Sequence, residues 1–264
     1  MQIICQNGQL DFTYMESHIE SSILWERHCH ARYEIIAVLE GDVNVILEGR
    51  SYRLTQHQSI IIPPLIYHTV TANQQGVYRR VTALFDMTAV PAVLRSAFQQ
   101  KVDERVLFPS HQMDEITLLG EGEDAGFYEP LIQSLMVRLF YSAVLAKPSQ
   151  GENETVEVDT FLQRVTQYVD EHLCEKISLD DLAAHTARSK SSLCHLFEEK
   201  MGISPKQYIL QKKMALANKL IRDGMPPTSV AMQIGYQSYS TFYRVYGKHF
   251  QTCPSMESAG RSKD

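Results

Sequence analysis

What the chain lacks narrows its function first. No run of apolar residues approaches the roughly 20 needed to span a bilayer, so no membrane span is expected. The opening residues Met1-Gln2-Ile3-Ile4-Cys5-Gln6-Asn7 carry neither a basic segment nor a long apolar one, so no secretory signal is read and a cytoplasmic location is expected. Cysteine is sparse and odd in number. The five residues Cys5, Cys29, Cys174, Cys194 and Cys253 form no Cys-x-x-Cys pair, which points away from a disulfide framework and toward reduced thiols. Positive charge is also short: 25 Lys and Arg against 31 Asp and Glu leave −6, an unfavourable total for binding a polyanion. Its distribution matters more. From residue 157 onward 14 basic side chains stand against 12 acidic ones, leaving 11 against 19 before it, so the acidity sits in the first half.

At 264 residues, with 44% hydrophobic and 9% aromatic content, the chain can bury two ordinary cores, and two domains are expected. Residues 1–24 read as a polar, irregular arm. From Trp25 the pattern turns to strands: Tyr33 to Leu39, Val43 to Leu47, Tyr52 to Leu54, Ser59 to Ile62, His68 to Val70 and Val77 to Phe85. Turn residues such as Gly41-Asp42 and Gly49-Arg50 separate them. Short strands at regular spacing predict a small antiparallel barrel or sandwich. A helix is expected from Ala89 to Lys101, starting near Pro91, and an acidic loop from Gly120 to Gly126. A longer helix from Tyr128 to Ala146 has more apolar positions than one stripe needs, which suggests a partner surface. Lys147 to Thr155 is polar, contains Pro and Gly, and reads as a linker.

The second half is organised by two helix-turn-helix patterns of similar layout. In the first, Ser178 precedes Asp180 and Asp181, which suits an N-cap and the positive end of a helix dipole. Ser189 then caps a second helix from Lys190 to Met201, and Gly202 ends it. In the second, Val230 to Ile234 is a short helix, Gly235-Tyr236 a turn, and Ser238 to Phe250 the following helix. Between the copies, Ser204-Pro205 starts a long helix through Ile221, with Pro at its first turn where a missing N–H costs nothing. Phe161 to Leu173 precedes both copies as the first helix of this half.

These residues carry a resemblance. Leu182-Ala183, Ser189-x-x-x-Leu193-x-x-Leu196-Phe197, Gly202-Ile203-Ser204-Pro205-x-x-Tyr208, Ala217-x-x-Leu220-Ile221 and Val230-Ala231-x-x-x-Gly235-Tyr236-x-x-x-x-x-Phe242 resemble the DNA-binding domain of AraC-type (arabinose-regulator family) transcription factors. The sequence departs from the family where Lys213 replaces a usual Arg, where Gln251 replaces a usual late Gly, and after Pro254. A recognition helix presents what its core periodicity leaves outside. That gives Ser189, Lys190, Ser191, Ser192 and His195 in the first copy, and Gln237, Ser238, Tyr239, Ser240, Thr241 and Arg244 in the second. Arg244 suits a bidentate pair with guanine, Gln237 one with adenine, and Lys190 a phosphate. His195 stands where the family often has Arg.

The first half carries a second resemblance. His28-x-His30-x-x-x-Glu34, followed by Gly41, and Pro63-Pro64-Leu65-Ile66-Tyr67-His68 resemble the two cupin motifs, with Leu65 in place of the second motif's Gly. Spacing of two keeps His28, His30 and Glu34 on one face of an extended segment. With His68 they would form three imidazoles and a carboxylate, a mixture that suits Zn, Ni, Mn or Fe. Three uses stay open: a metal site at His28, His30, Glu34 and His68; an effector pocket lined by Trp25, His28, His30, Glu34, Tyr67 and His68; or ordinary core packing.

The combined reading is a two-domain chain, β then α. Residues 1–146 form a cupin-like antiparallel β-barrel with following helices, for effector binding and dimerisation. Residues 147–156 are the linker, and residues 157–264 an all-α tandem helix-turn-helix domain. The resemblance implies a regulator that binds double-stranded DNA and responds to a small-molecule effector, a sugar or another small polar metabolite, with no required cofactor. It also implies a homodimer through helix 128–146. The competing class is a metal-dependent cupin enzyme, an isomerase or dioxygenase, with a DNA-binding tail. A constitutive DNA-binding protein with an inert barrel is a third.

Overall fold

The computed structural model describes residues 2–6, 9–20, 25, 27–104, 107–118, 125–147 and 159–255. The chain divides into two compact units. One comprises residues 1–26, 32–63 and 69–157, and the other residues 27–31, 64–68 and 158–264. The expected linker from 148 on, the acidic loop from 120 through 124 and the tail from 256 lie outside the described residues.

Among the described residues, the first unit has nine strands: β1 (Gln2–Gln6), β2 (Leu10–Ile19), β3 (Tyr33–Glu40), β4 (Asp42–Leu47), β5 (Arg50–Thr55), β6 (Gln58–Ile62), β7 (His68–Ala72), β8 (Gly76–Phe85) and β9 (Phe108–Pro109). They form a six-stranded sheet in the order β1-β2-β8-β3-β6-β9 and a three-stranded sheet β5-β4-β7. Pairing is antiparallel through the larger sheet. β4 alternates buried and half-buried residues, as a strand with one covered face must, whereas the interior of β3 is buried at every position.

The arm expected to be irregular is largely strand. β2 pairs with β8 over ten residues, Leu10↔Phe85 through Ile19↔Gly76. Leu10, Phe12 and Tyr14 point inward at period two while Asp11, Thr13 and Met15 do not, which is the half-buried strand signature diluted by polar residues. The helix expected from Ala89 begins late. Two 3-10 turns, Met87–Ala89 and Ala92–Leu94, precede α1 (Arg95–Glu104), because Pro91 restricts the residue before it and cannot donate. The sequence also gave no sign of β9 or of the 3-10 segment His111–Leu118.

α2 (Ala125–Leu145) covers the larger sheet. Ile132, Leu135, Met136, Leu139, Phe140 and Ala143 join Phe85 and Phe98 in one core. Phe140 lies 5.1 Å from Phe85 and 5.4 Å from Phe98, ring centre to ring centre, spacings at which aromatic pairs add to plain area burial.

The second unit contains α3 (Thr160–Glu171), α4 (Leu179–His185), α5 (Lys190–Met201), α6 (Pro205–Arg222), α7 (Pro227–Gln233) and α8 (Tyr239–Phe250). The caps fall where Ser and Asp precede apolar periodicity. Asp159 caps α3, Ser178 α4, Ser189 α5 and Ser238 α8, and Ser204 with Gln207 makes a reciprocal capping box on α6. Two cores result: Leu182, Leu193, Phe197 and Tyr208 around α4 and α5, and Met214, Val230, Phe242 and Tyr246 around α7 and α8. α6 contributes to both.

Candidate functional site

His28 and His68 form a two-way backbone bridge, His28 N–H donating to the His68 carbonyl at 3.1 Å and His68 N–H to the His28 carbonyl at 2.9 Å. Their rings stand 4.4 Å apart, centre to centre, and His30 lies 5.1 Å from His68. One ligating atom each from His28, His30, His68 and Glu34 falls within 4.8 Å of the others. The sequence spacing anticipated this convergence, although the backbone from Arg27 to Ala31 is not a regular strand. Glu34 and His68 are buried and His28 is exposed. The His68 Nδ1 lies 2.8 Å from the Ile66 carbonyl, which fixes the proton on that nitrogen and leaves the Nε2 lone pair as the accepting or ligating atom.

Leu65 stands where the resembling motif has Gly, and the backbone explains the position's demand. Its φ is 69°, in the left-handed region, and its N–H donates to the His30 carbonyl at 2.9 Å. A leucine there costs on the order of 1 kcal/mol that a glycine would not.

The other expected pocket residues separate. The Tyr67 ring is buried with Tyr208, 5.4 Å away, in the core of the helical unit, and its hydroxyl donates to the Arg27 carbonyl at 3.1 Å. Trp25 packs in the β unit, 5.4 Å from Tyr78, with the Arg80 guanidinium 5.1 Å from its ring. Tyr78 and Arg80 escaped the sequence reading. Their spacing of two on β8 was the available signal, since it puts both on one face. The Tyr78 hydroxyl is buried without a hydrogen-bond partner among the described residues, and burial pushes its pKa up to about 12, so it is a neutral donor at any physiological pH.

All eleven expected DNA-reading residues are exposed. Ser189 and Ser238 spend their hydroxyls on caps, accepting from Ser192 N–H and Thr241 N–H. Lys190 pairs with Asp180 at 2.8 Å, and His195 is 84% exposed at the side chain. Tyr243, four residues after Tyr239, is a further exposed aromatic on the same face of α8. Between the copies, Lys213 of α6 donates to the Glu175 carbonyl at 2.7 Å and to the Ile234 carbonyl at 2.8 Å. One ammonium thus joins the residue ahead of the first motif to the turn of the second. Gly235 lies against it, with φ at 85° and only 3.1 Å between a hypothetical Cβ and the Cys174 carbonyl.

The AraC-like ligand binding domain matches residues 10–119, and a helix-turn-helix domain matches residues 182–257. The "Probable transcriptional regulator LumQ" of Photobacterium leiognathi is 27% identical over 86% of this chain and 90% of its own length. The "Arabinose operon regulatory protein" of Escherichia coli K12 is 26% identical over 86% of this chain and 80% of its own. The "Regulatory protein SoxS" of Salmonella typhimurium is 30% identical over 36% of this chain and 89% of its own. Among the described residues no helix is long and apolar enough to cross a membrane. With an AraC-like ligand-binding domain ahead of a DNA-binding helix-turn-helix domain, the chain belongs to the AraC family of transcriptional regulators.

Proposed function

We propose that the chain is a homodimeric cytoplasmic regulator that holds a small polar effector at His28, His30, Glu34 and His68 and acts by binding rather than turnover. The observation that carries this reading is the convergence of three imidazoles and a carboxylate. Together they offer both donors and acceptors to a hydroxylated or anionic molecule, a combination that suits a sugar first. Tyr67 contributes through the backbone it holds, its hydroxyl donating to the Arg27 carbonyl. Occupancy would bias which arrangement of the two reading helices is populated. Ser189, Lys190, Ser191, Ser192 and His195 of one copy and Gln237, Ser238, Tyr239, Ser240, Thr241 and Arg244 of the other would contact double-stranded DNA.

Dimerisation would use α2. Val137, Tyr141 and Leu145 recur at intervals of four on its outer face and are exposed, Leu145 by 75%. Apolar residues lined up on an exposed helix face mark a partner surface more often than chance exposure does. Changing Tyr141 to Asp should therefore convert a dimer to a monomer in light scattering, and a dimer that survives would remove α2 from the interface.

The same donor set fits a transition ion, Zn, Ni, Mn or Fe, with His28, His30, His68 and Glu34 as ligands and the Ile66 carbonyl orienting His68. Such an ion would supply Lewis acidity and a binding point for a chelating effector. The first experiment is elemental analysis of tag-free protein beside a His28→Ala/His30→Ala variant, followed by operator binding with a panel of sugars and organic acids. An effector whose influence on operator affinity survives that double substitution would sink the proposed site. Turnover of a substrate by a form lacking residues 157–264 would instead favour the enzyme class.

A further inference from the structure

A second cluster of metal-binding side chains lies in the β unit, away from the histidines that the sequence motif marked. His57 occupies the turn between β5 and β6, and His111 opens the 3-10 segment that follows β9. Pairing of β6 with β9, Gln58 opposite Pro109, brings the two together, and their rings stand 4.3 Å apart. Asp114, one turn on, places Oδ2 2.8 Å from His57 Nε2. One ligating atom from each of the three lies within 4.8 Å of the others.

The backbone around His57 is held in an unusual way. Its φ is 62°, in the left-handed region where Gly or Asn is the ordinary choice. Its N–H donates to the Val38 carbonyl at 2.7 Å and its carbonyl accepts from Ser110 N–H at 2.9 Å. Strain of roughly 1–3 kcal/mol at a non-glycine residue is retained where the surroundings impose it. Here it is imposed at the position that aims an imidazole toward His111 and Asp114. A concavity of about 290 Å³, lined in part by His57, Phe108 and His111, opens beside them.

We propose that His57, His111 and Asp114 form a site for a borderline divalent transition ion, Zn²⁺ above all. Two imidazoles and one carboxylate are the ligand set of three-coordinate protein zinc sites, which leave a fourth position to water. Hard cations such as Mg²⁺ or Ca²⁺ prefer oxygen ligands throughout. Two donor atoms on one tetrahedral zinc, each about 2.0–2.1 Å from it, lie about 3.3 Å apart, so His57 and Asp114 need separate by only about half an ångström. Coordination would require each imidazole to present a ring-nitrogen lone pair and Asp114 a carboxylate oxygen to the ion.

The site also has a reach. The His111–Leu118 segment docks on α2: Met113 and Ile116 enter the core, Gln112 donates to Ser142 at 3.1 Å, and Arg138 pairs with Glu115 at 2.5 Å. Zinc would clamp this segment to the β5–β6 turn and so stiffen the underside of α2.

The test is equilibrium dialysis of tag-free full-length protein against Zn²⁺, with Co²⁺ absorption as the report on coordination. Binding is measured in the His28→Ala/His30→Ala background, so that the motif histidines cannot answer for it. That background should take up one equivalent. Adding His111→Ala or Asp114→Asn should weaken uptake at least tenfold, since both residues are on the surface and the fold should survive. His57→Asn should do the same while keeping a residue that tolerates the left-handed turn. If the background protein takes up no zinc, or if uptake is indifferent to all three changes, the cluster is a structural ion pair and the proposal fails.

Discussion

The two helix-turn-helix copies share a layout and differ in what they present. The first, α4 and α5, is conventionally terminated: Ser178 and Ser189 cap its helices and Gly202 ends it in the left-handed conformation at φ 73°. Its exposed face is largely small and polar, and the long cation that opens α5, Lys190, is engaged with Asp180. The second, α7 and α8, starts on Pro226-Pro227 with no side-chain cap and ends on Gln251 at φ 55°. Its exposed face carries Tyr239, Tyr243 and Arg244. The better-capped copy has the plainer surface. The contrast suits a proposal in which the second copy carries more of the base recognition, with α6 and Lys213 joining the two.

The sharpest break should come from Arg244→Ala. If the second copy supplies base readout, operator affinity should fall by about 1–3 kcal/mol, with relaxed preference at one base pair. Lys190→Ala should weaken all sequences alike and lower the salt slope by about one. Fluorescence anisotropy on operator variants at several salt concentrations checks both, and equal losses of specificity would erase the distinction.

Lys213→Met attacks the join. It removes the shared donor of the Glu175 and Ile234 carbonyls; Glu175 is exposed and water replaces the donor there, so the cost falls on the part-buried Ile234 carbonyl, about 1 kcal/mol. Urea denaturation should show that loss, and operator binding should lose its dependence on having both half-sites intact.

Asp159→Asn tests the support of the first copy. Asp159 accepts from Leu162 N–H at 3.0 Å and pairs with Lys200 of α5 at 2.6 Å. Burial raises its pKa, but the Lys200 contact and the backbone donors outweigh that, so the carboxyl sits below its ordinary value near 3.8. The group therefore contributes stability above pH 4 that is lost as pH falls through its lower folded-state value. Asn caps about as well as Asp, so the variant should lose only the Lys200 ion pair, up to about 1 kcal/mol at pH 7, and its stability should depend less on pH below 4. An unchanged acid profile would remove Asp159 from the account.

The mildest change sharpens the contrast from the other side. Gln251→Gly gives the second copy the terminator of the first and should raise the melting temperature by the equivalent of about 0.5–1 kcal/mol, with operator affinity unchanged. A loss of stability would mean that the Gln251 side chain is engaged in native contacts.

The sequence was most readable where one residue's chemistry decides local structure. Ser178, Ser189, Ser204 and Ser238 each cap the helix expected of them, and Leu182, Leu193, Phe242 and Tyr246 are buried at helical spacing. β3 to β8 were legible from alternation and turn residues. β2 was not, because its burial is decided by ten pairs with a strand some sixty residues away. His28, His30 and Glu34 were found from local spacing. Tyr78 and Arg80 were hidden in a strand with no motif, and His57 meets His111 only through the two-residue strand β9. Contacts made by long-range pairing can leave only a weak local mark in the chain, as the period-two burial of β2 does.

The length of α6 has a consequence for the DNA this protein serves. Its 18 residues span about 27 Å, and a rod cannot stretch when the distance between its targets changes. One inserted base pair rotates the far target by about 34–36° around the duplex axis as well as moving it away. Substitutions weaken one contact at a time, but an insertion misplaces a whole helix. The sites it reads should therefore drift in letters while the spacing between their two halves stays fixed.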